Sequence, residues 1–385
     1  MPAETVDFLV IGAGMAGASA AAHLAAAGRV ILVEREAQPG YHSTGRSAAL
    51  FTETYGNLPV RLLTKASRAF YETRAEGFVE HSILSPRGVL LYATQTQLRE
   101  LDEAWNEMAP LDPSLSRLDG VAARALVPVL RPEAAAAAIL EPNAMDIDVH
   151  GLHQGYLRLL RRRGGRILTD APVTALSRRN GTWRVATPVG EFAAPIVVNA
   201  AGAWADDIAG LAGLPPTGLV PKRRTALVVP PPIGLEIHAW PMVIDVGETG
   251  YFKPDAGKLL VSPADETRVP PCDVQPEEID VAIAIDRLMR ATTLEVTRVE
   301  RKWAGLRSFV ADKTPVNGFD PLADGFFWLA GQGGYGIQTA EGMAKTAAGL
   351  IVEGRLPDTV AALGLTAAML SPARLMRSER VRPPP

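Results

Sequence analysis

The sequence predicts an α/β (α+β) protein in two parts, a Rossmann-like dinucleotide-binding domain and a second, sheet-rich domain. Three observations carry this expectation. The chain opens with a β-turn-α-β pattern around Gly12-x-Gly14-x-x-Gly17. Two further stretches of small residues, at 198–204 and 331–339, return late in the chain. Between them, over 205–305, prolines cluster at 230–232 and 270–271 and short strand patterns alternate with turns.

The opening unit reads element by element. Residues 6–11 form an apolar, β-branched run, the mark of a buried strand. A helix of small residues is expected over 18–27, stopped by Gly28, and a second strand over 30–33, closed by Glu34. Helical spacing recurs over 62–76, 95–107 and 149–163, the last stopped by Gly164-Gly165. Strands are expected at 89–92, 166–169, 175–177, 182–187, 196–199 and 326–329, with Asn180-Gly181 as a hairpin signal. A final helix is expected over 339–350. No internal repeat is visible.

Composition narrows the function class. A chain of 385 residues suggests two to three domains, and 47% hydrophobic with 21% charged residues is ordinary for a soluble enzyme. A net charge of -3 argues against nucleic acid as the main partner, since a polyphosphate needs a basic footprint. The run Arg161-Arg162-Arg163 reads as the solvated end of a helix. Cys272 is the sole cysteine, which rules out an intrachain disulfide and a CxxC pair and fits a reducing cytoplasm. Neither a spanning apolar run nor a signal-peptide pattern is visible, while peripheral attachment at an inner membrane stays open. No metal site is expected.

The glycine motif has a physical division of labour. Gly12 allows the turn, Gly14 lets a pyrophosphate approach the backbone, and Gly17 lets the helix pack on the strand. The helix N-terminus presents free N–H groups and a positive dipole end to phosphates. Glu34, 22 residues after Gly12, can accept from both ribose hydroxyls and would repel the 2'-phosphate of NADP.

Three later segments point to FAD over NAD. Ser43-Thr44-Gly45-Arg46-Ser47-Ala48-Ala49 suits a loop wrapping a second phosphate and a ring edge. Val198-Asn199-Ala200-Ala201-Gly202-Ala203-Trp204 runs a buried strand into small residues where something flat lies close. Gly331-Gln332-Gly333-Gly334-Tyr335-Gly336-Ile337-Gln338-Thr339 precedes a helix whose N-terminus could stabilise negative charge on a flavin.

These segments resemble the D-amino-acid oxidase-like flavoprotein superfamily, and within it bacterial D-arginine dehydrogenase, over nearly the whole chain. The stretches that carry the resemblance are 34–49, 152–158, 221–224, 303–309 and 332–339. The resemblance implies a discontinuous FAD-binding domain of the glutathione-reductase type at 1–84, 146–208 and 306–370. It also implies an antiparallel-sheet substrate domain at 85–145 and 209–305, with 371–385 as an unstructured tail. By the same resemblance FAD would be held by Gly12, Gly14, Ala16, Gly17, Glu34, Arg35, Ser43, Thr44, Gly45, Arg46, Ser47, Ala48, Ala49, Val173, Ala201, Gly202, Gly333, Gly334, Tyr335, Gly336, Ile337 and Gln338. Some relatives tie FAD to a cysteine; Cys272 lies in the substrate portion, so a non-covalent flavin is expected.

The implied reaction is oxidative deamination of a D-amino acid, with hydride passing from Cα to flavin N5 and the imino acid hydrolysing to a 2-oxo acid and ammonia. Arg224 and Arg307 match positions that grip the α-carboxylate, a task that suits the bidentate guanidinium fork. Arg223 is the neighbour most easily confused with Arg224. Tyr55 and Tyr251 would close over the ligand, and Thr52 and the Gly334 backbone would complete the polar contacts. His42 is expected to pack on the cofactor, and His153 to belong to a helix packed on the FAD domain.

The substrate pocket would be lined by Leu50, Thr52, Val89, Met242 and Ile244. Where D-arginine dehydrogenase carries a histidine this chain has Leu50, and where it carries a glutamate this chain has Val89. Apolar, aromatic or broad-range D-amino acids are therefore expected to outrank D-arginine, because a charged side chain would be buried unpaired. Two alternatives stay open: a glycine or sarcosine oxidase-type secondary-amine oxidoreductase, and a flavin-binding subunit without its own turnover. The electron acceptor would be oxygen or a quinone-like carrier.

Overall fold

The structure, a computed structural model, describes residues 3–73, 77–232 and 234–376. A six-stranded sheet runs in the order Arg166–Leu168, Val30–Val33, Phe8–Ile11, Ile196–Asn199, Phe326–Ala330 and Val316–Phe319. All its pairs are parallel except the last. Its central strands are buried on both faces, as a parallel sheet requires.

The glycines of the opening turn separate into two kinds. A Cβ on Gly17 would lie 1.8 Å from the Gly12 carbonyl oxygen, and one on Gly12, at φ +99, would lie 2.5 Å from the Ala200 oxygen. Both are packing glycines. Gly14 has only Thr44 Oγ1 at 3.4 Å, so its open side faces the cavity. The helix that follows is Met15–Leu24, starting and ending about three residues earlier than its small-residue pattern suggested. Its alanines let it pack closely against Val149–Arg162 and Ala340–Ala348.

The second large sheet has eight strands, ordered Arg301–Phe309, Val220–Val229, Lys258–Ser262, Tyr251–Asp255, Met242–Asp245, Val89–Ala93, Ala137–Glu141 and Ser116–Asp119. It is antiparallel except where Met242–Asp245 runs parallel to Val89–Ala93, joining the two distant stretches of chain that build it. Its first strand crosses residue 305 and carries Arg307, so the expected domain boundary falls inside a strand. Against the rear face packs the helix Glu278–Ala291, which lay within a stretch read as sheet. Its buried Val281, Ala284, Leu288 and Ala291 have the 3-4-3 spacing of an apolar helix stripe.

Other local expectations hold with shifted ends. Asn180 and Gly181 both take positive φ, 51° and 79°, as a two-residue type I′ hairpin demands. The helix expected from residue 62 is Leu58–Glu72, because Asn57 caps it by accepting from Val60 N at 3.3 Å. The tail expected from 371 is ordered at its start. Ala373–Met376 is helical and Arg374 Nε lies 2.7 Å from Asp312 Oδ2, while 377–385 lie outside the described residues.

Strand alternation along Val220–Val229 separates Arg223 from Arg224. Arg223 points rearward to the helix, where its guanidinium meets Glu277, Asp280 at 2.8 Å and Asp265 at 3.6 Å. The Asp280 contact is one of charge and not a well-directed hydrogen bond. Removing one partner from such a buried cluster strands the others. Arg223→Ala is expected to lower unfolding free energy by about 3–5 kcal/mol, measured by denaturant titration of the flavin-loaded protein.

Candidate active site

A cavity of about 1070 Å³ opens where the two large sheets meet. One end is built by the Gly-rich turn. Glu34 is buried there, and its Oε2 accepts from Ala13 N at 2.7 Å while Oε1 accepts from Glu36 N at 3.1 Å. Those bonds hold the carboxylate at the lip of the turn. Arg35 stacks its guanidinium 4.8 Å from the Trp204 ring, and Val173 lines the same end. Thr44 Oγ1 accepts from Met15 N at 2.9 Å, drawing the 43–49 segment onto the helix N-terminus. The remaining first-turn N–H groups have no acceptor within the helix.

This cradle fits an elongated dinucleotide. A carboxylate for ribose hydroxyls, an open glycine at a helix N-terminus, and a second glycine-rich segment follow one another along the wall. FAD would lie with its adenosine at Glu34 and Val173, its phosphates at Gly14 and Ala16, and its ring towards 333–338. Ser47, Ala48, Ala49, Ala201, Gly202, Gly333, Tyr335, Gly336, Ile337 and Gln338 all line the cavity.

Three expected cofactor residues play other parts. Gly17 is walled off by the turn it packs on, and Gly45 closes a turn, its N–H bonded to Gly40 O at 2.8 Å. Neither lines the cavity. Arg46 borders it, but its guanidinium turns away to Asp273 and to the carbonyls of Val274 at 3.0 Å and Ala304 at 3.1 Å. A second phosphate would then fall to backbone groups and hydroxyls of that loop. His42 lies 2.9 Å from Glu36 Oε1 and packs on Trp204 beside the cavity. His153 is buried 2.9 Å from Ala13 O on the helix Val149–Arg162, and burial pushes its pKa down.

The other end gathers the charged and aromatic side chains expected to meet a substrate. Arg224 and Arg307 stand on paired strands, Arg224 opposite Gly305 and Arg307 opposite Lys222, so both face the cavity two positions apart. Arg307 has no carboxylate partner among the described residues. Burial acts to lower its pKa, but Tyr55 and Tyr251 outweigh it, and the guanidinium stays charged. Arg224 donates to Asp265 O at 2.9 Å and reaches Glu266 only at 3.5 Å, a carboxylate already held by Lys222 at 2.6 Å. Tyr251 shows the effect of this surplus charge. Burial alone would raise its pKa, yet Arg307 and Arg224 bring it below the ordinary tyrosine value.

Tyr55 and Tyr335 meet edge to face, ring centroids 5.0 Å apart, as a cover over this end. Gly334 lies flat against Arg307, where an added Cβ would sit 2.8 Å from Cζ. Leu50, Thr52, Val89, Met242 and Ile244 form the adjoining wall.

Sequence reasoning missed one group on that wall. Glu141 lines the cavity yet is only 4% exposed, its Oε1 accepting from Thr52 Oγ1 at 2.6 Å and Oε2 from Thr54 Oγ1 at 2.8 Å. Burial raises its pKa, and the two hydroxyls offset this only in part. The wall is thus not wholly apolar. The sole hint in the sequence is a carboxylate closing the apolar run 136–140.

Comparison with known proteins agrees with the cradle. The profile of the family described as "FAD dependent oxidoreductase" matches residues 7–350. Mitochondrial dimethylglycine dehydrogenase of Rattus norvegicus is 29% identical over 270 residues, 68% of this chain and 31% of that protein. Mitochondrial sarcosine dehydrogenase of Homo sapiens is 25% identical over 378 residues, 91% of this chain and 40% of that protein. The chain therefore spans about a third of the length of the first curated relatives it matches. Among solved structures, L-proline dehydrogenase from P. horikoshii superposes with a TM-score of 0.80 at 20% identity, covering 98% of this chain and 99% of the other.

Two outcomes follow from the arginine end. Gly334→Ala should push the Arg307 guanidinium off its place and reduce kcat/KM roughly 100-fold, read by steady-state kinetics on protein whose flavin content and thermal midpoint are recorded alongside. Tyr251 should ionise on the alkaline side before an ordinary tyrosine, since both arginines favour its phenolate. Arg224→Met should move that step to higher pH, seen as the phenolate difference between each protein and its Tyr251→Phe counterpart.

Proposed function

We propose, from the premise that this chain belongs to the FAD dependent oxidoreductase family, that it oxidises D-amino acids at Cα and releases a 2-oxo acid and ammonia. The observation that carries this reading is the Arg224–Arg307 pair, two cations facing the cavity, Arg307 with no carboxylate partner among the described residues and Arg224 reaching Glu266 only at 3.5 Å. An α-carboxylate supplies the missing charge, and the guanidinium forks fix its orientation. FAD, when bound, supplies the acceptor for the electron pair that leaves with the Cα hydrogen.

The chain's own residues bind and orient. With the carboxylate held by Arg224 and Arg307, Tyr55 and Tyr335 close over it, and Tyr251 is kept in place by the same two cations. The substrate ammonium sheds a proton before the hydride leaves. His42 is the histidine of the cavity wall among the described residues, and it is engaged with Glu36, so that proton passes to solvent. Orientation is then the protein's main contribution, worth several orders of magnitude when the reacting atoms are held close. The departing imine takes up water to give the 2-oxo acid and ammonia. Cys272 does not line the cavity, which supports non-covalent FAD.

The D configuration rests on the resemblance to D-amino-acid oxidase-like flavoproteins. A second reading, oxidation of an N-methylated glycine, is favoured by the similarity to dimethylglycine and sarcosine dehydrogenases. The wall beyond the arginines, from Leu50 to Glu141, weighs towards a substrate with a side chain, since a glycine derivative leaves it unfilled. Anaerobic mixing decides between them: D-amino acids should bleach the flavin faster than their L enantiomers and faster than sarcosine. Arg307→Met should cut the second-order rate of bleaching roughly 100-fold or more. Faster bleaching by sarcosine, or an undiminished rate in the variant, refutes the reading.

A further inference from the structure

Most buried or half-buried carboxyl groups among the described residues are visibly satisfied. Asp146 meets Lys253 at 2.5 Å and Arg87 at 2.6 Å, Asp265 and Asp280 share Arg223, and Glu341 meets His23 at 3.1 Å and Lys345 at 3.2 Å. Glu34, Asp245 and Asp320 have no cation partner among the described residues but accept N–H groups of the backbone. Glu141 has neither. Its partners are the hydroxyls of Thr52 and Thr54, which can donate to a carboxylate or accept from an acid with equal ease. No cation pairs with it among the described residues. Arg61 lines the same cavity but donates to Thr54 O at 3.1 Å and pairs with Glu107. The other charges acting on Glu141, Asp112 and Glu53, are carboxylates.

A buried carboxyl facing a cavity without a counter-charge is half of a recognition pair. We infer that Glu141, held by Thr52 and Thr54, is a specificity-determining residue that receives the ammonium or guanidinium end of a long substrate side chain. The inference rests on the amino-acid oxidation proposed above and replaces the apolar preference expected from Leu50 and Val89 alone.

Sheet geometry supports the length. Tyr251, Ile244, Leu91 and Ile139 form one row across four strands, and Met242, Val89 and Glu141 form the next row on the same face. Glu141 is therefore three strands from Tyr251, roughly 14 Å between backbones at about 4.8 Å per step. The side chains of Tyr251 and Glu141 span part of that gap. A carboxylate on the arginines leaves the rest to a long, extended side chain running past Met242 and Val89, its apolar stem on their surfaces and its cation on Glu141.

The test compares D-lysine and D-arginine with D-norleucine and D-methionine, following anaerobic flavin reduction in the holoenzyme. The cationic substrates should exceed the neutral ones by about 10- to 100-fold in kcat/KM, and in Glu141→Gln that ratio should collapse towards one. The preference should also fade on acidification, as Glu141 takes up a proton above the ordinary carboxylate range, and the variant should lack that limb. A wild-type ratio near one, or a ratio that survives in Glu141→Gln, overturns the inference while leaving amino-acid oxidation standing. Bleaching by sarcosine alone sinks the proposed function and this inference with it. Should the variant not fold, the wild-type ratio and its pH profile decide.

Discussion

Two like charges held on neighbouring strands set the terms for the rest of this site. Arg224 and Arg307 lie diagonally across one antiparallel pair, at a spacing where like charges repel. The fold holds them there by packing and backbone pairing, with no carboxylate between them among the described residues. Tyr251 answers by losing its proton more readily, and the cavity answers by favouring an anion. A bias towards an anion is thus set by the strand geometry, before any further side-chain specificity is expressed. The rear of the same strand shows the opposite arrangement: Arg223 is surrounded by Asp265, Glu277 and Asp280, and its charge is spent on holding the helix to the sheet.

What the sequence disclosed was whatever depends on local chemistry. The glycine turn, its helix and Glu34 are specified within a span of some thirty residues, and they could be placed without knowing the rest of the chain. The Asn180-Gly181 hairpin and the Gly164 stop are equally local, each resting on a positive φ that few residues tolerate. Arg224 against Arg223 was decidable in principle once a strand was assigned, since alternation sends neighbours to opposite faces. Arg307 was visible through its motif.

What it did not disclose depends on pairings between distant segments. The eight-stranded sheet takes strands from 89–141 and from 220–309, and only the parallel register of Met242 with Val89 brings Glu141 into line with the substrate wall. In the sequence Glu141 merely ends an apolar run before Pro142, which reads as a charge at a strand end. The helix Glu278–Ala291 was hidden by flanking prolines and turns, although its buried residues carry the right spacing. The partner of Arg46 is hidden for a related reason. A cation in a phosphate-binding loop invites a phosphate role, but the Asp273 that claims it is 227 residues away.

That turn of Arg46 has a mechanical consequence. Its guanidinium holds the carbonyls of Val274 and Ala304, Trp303 Nε1 donates to the Arg46 carbonyl at 3.0 Å, and Ser43 Oγ donates to Leu306 O at 2.7 Å. The loop that would wrap the cofactor is thereby tied, at three points, to the strand Arg301–Phe309, which carries Arg307. Gly333 completes the junction, its N–H bonded to Ser308 O at 2.9 Å. The expected cofactor cradle and the strand that carries Arg307 are therefore joined by direct hydrogen bonds. An acceptor ring in that cradle and an acid on Arg307 would thus be positioned by one connected hydrogen-bond network, a condition under which orientation can carry a hydride transfer.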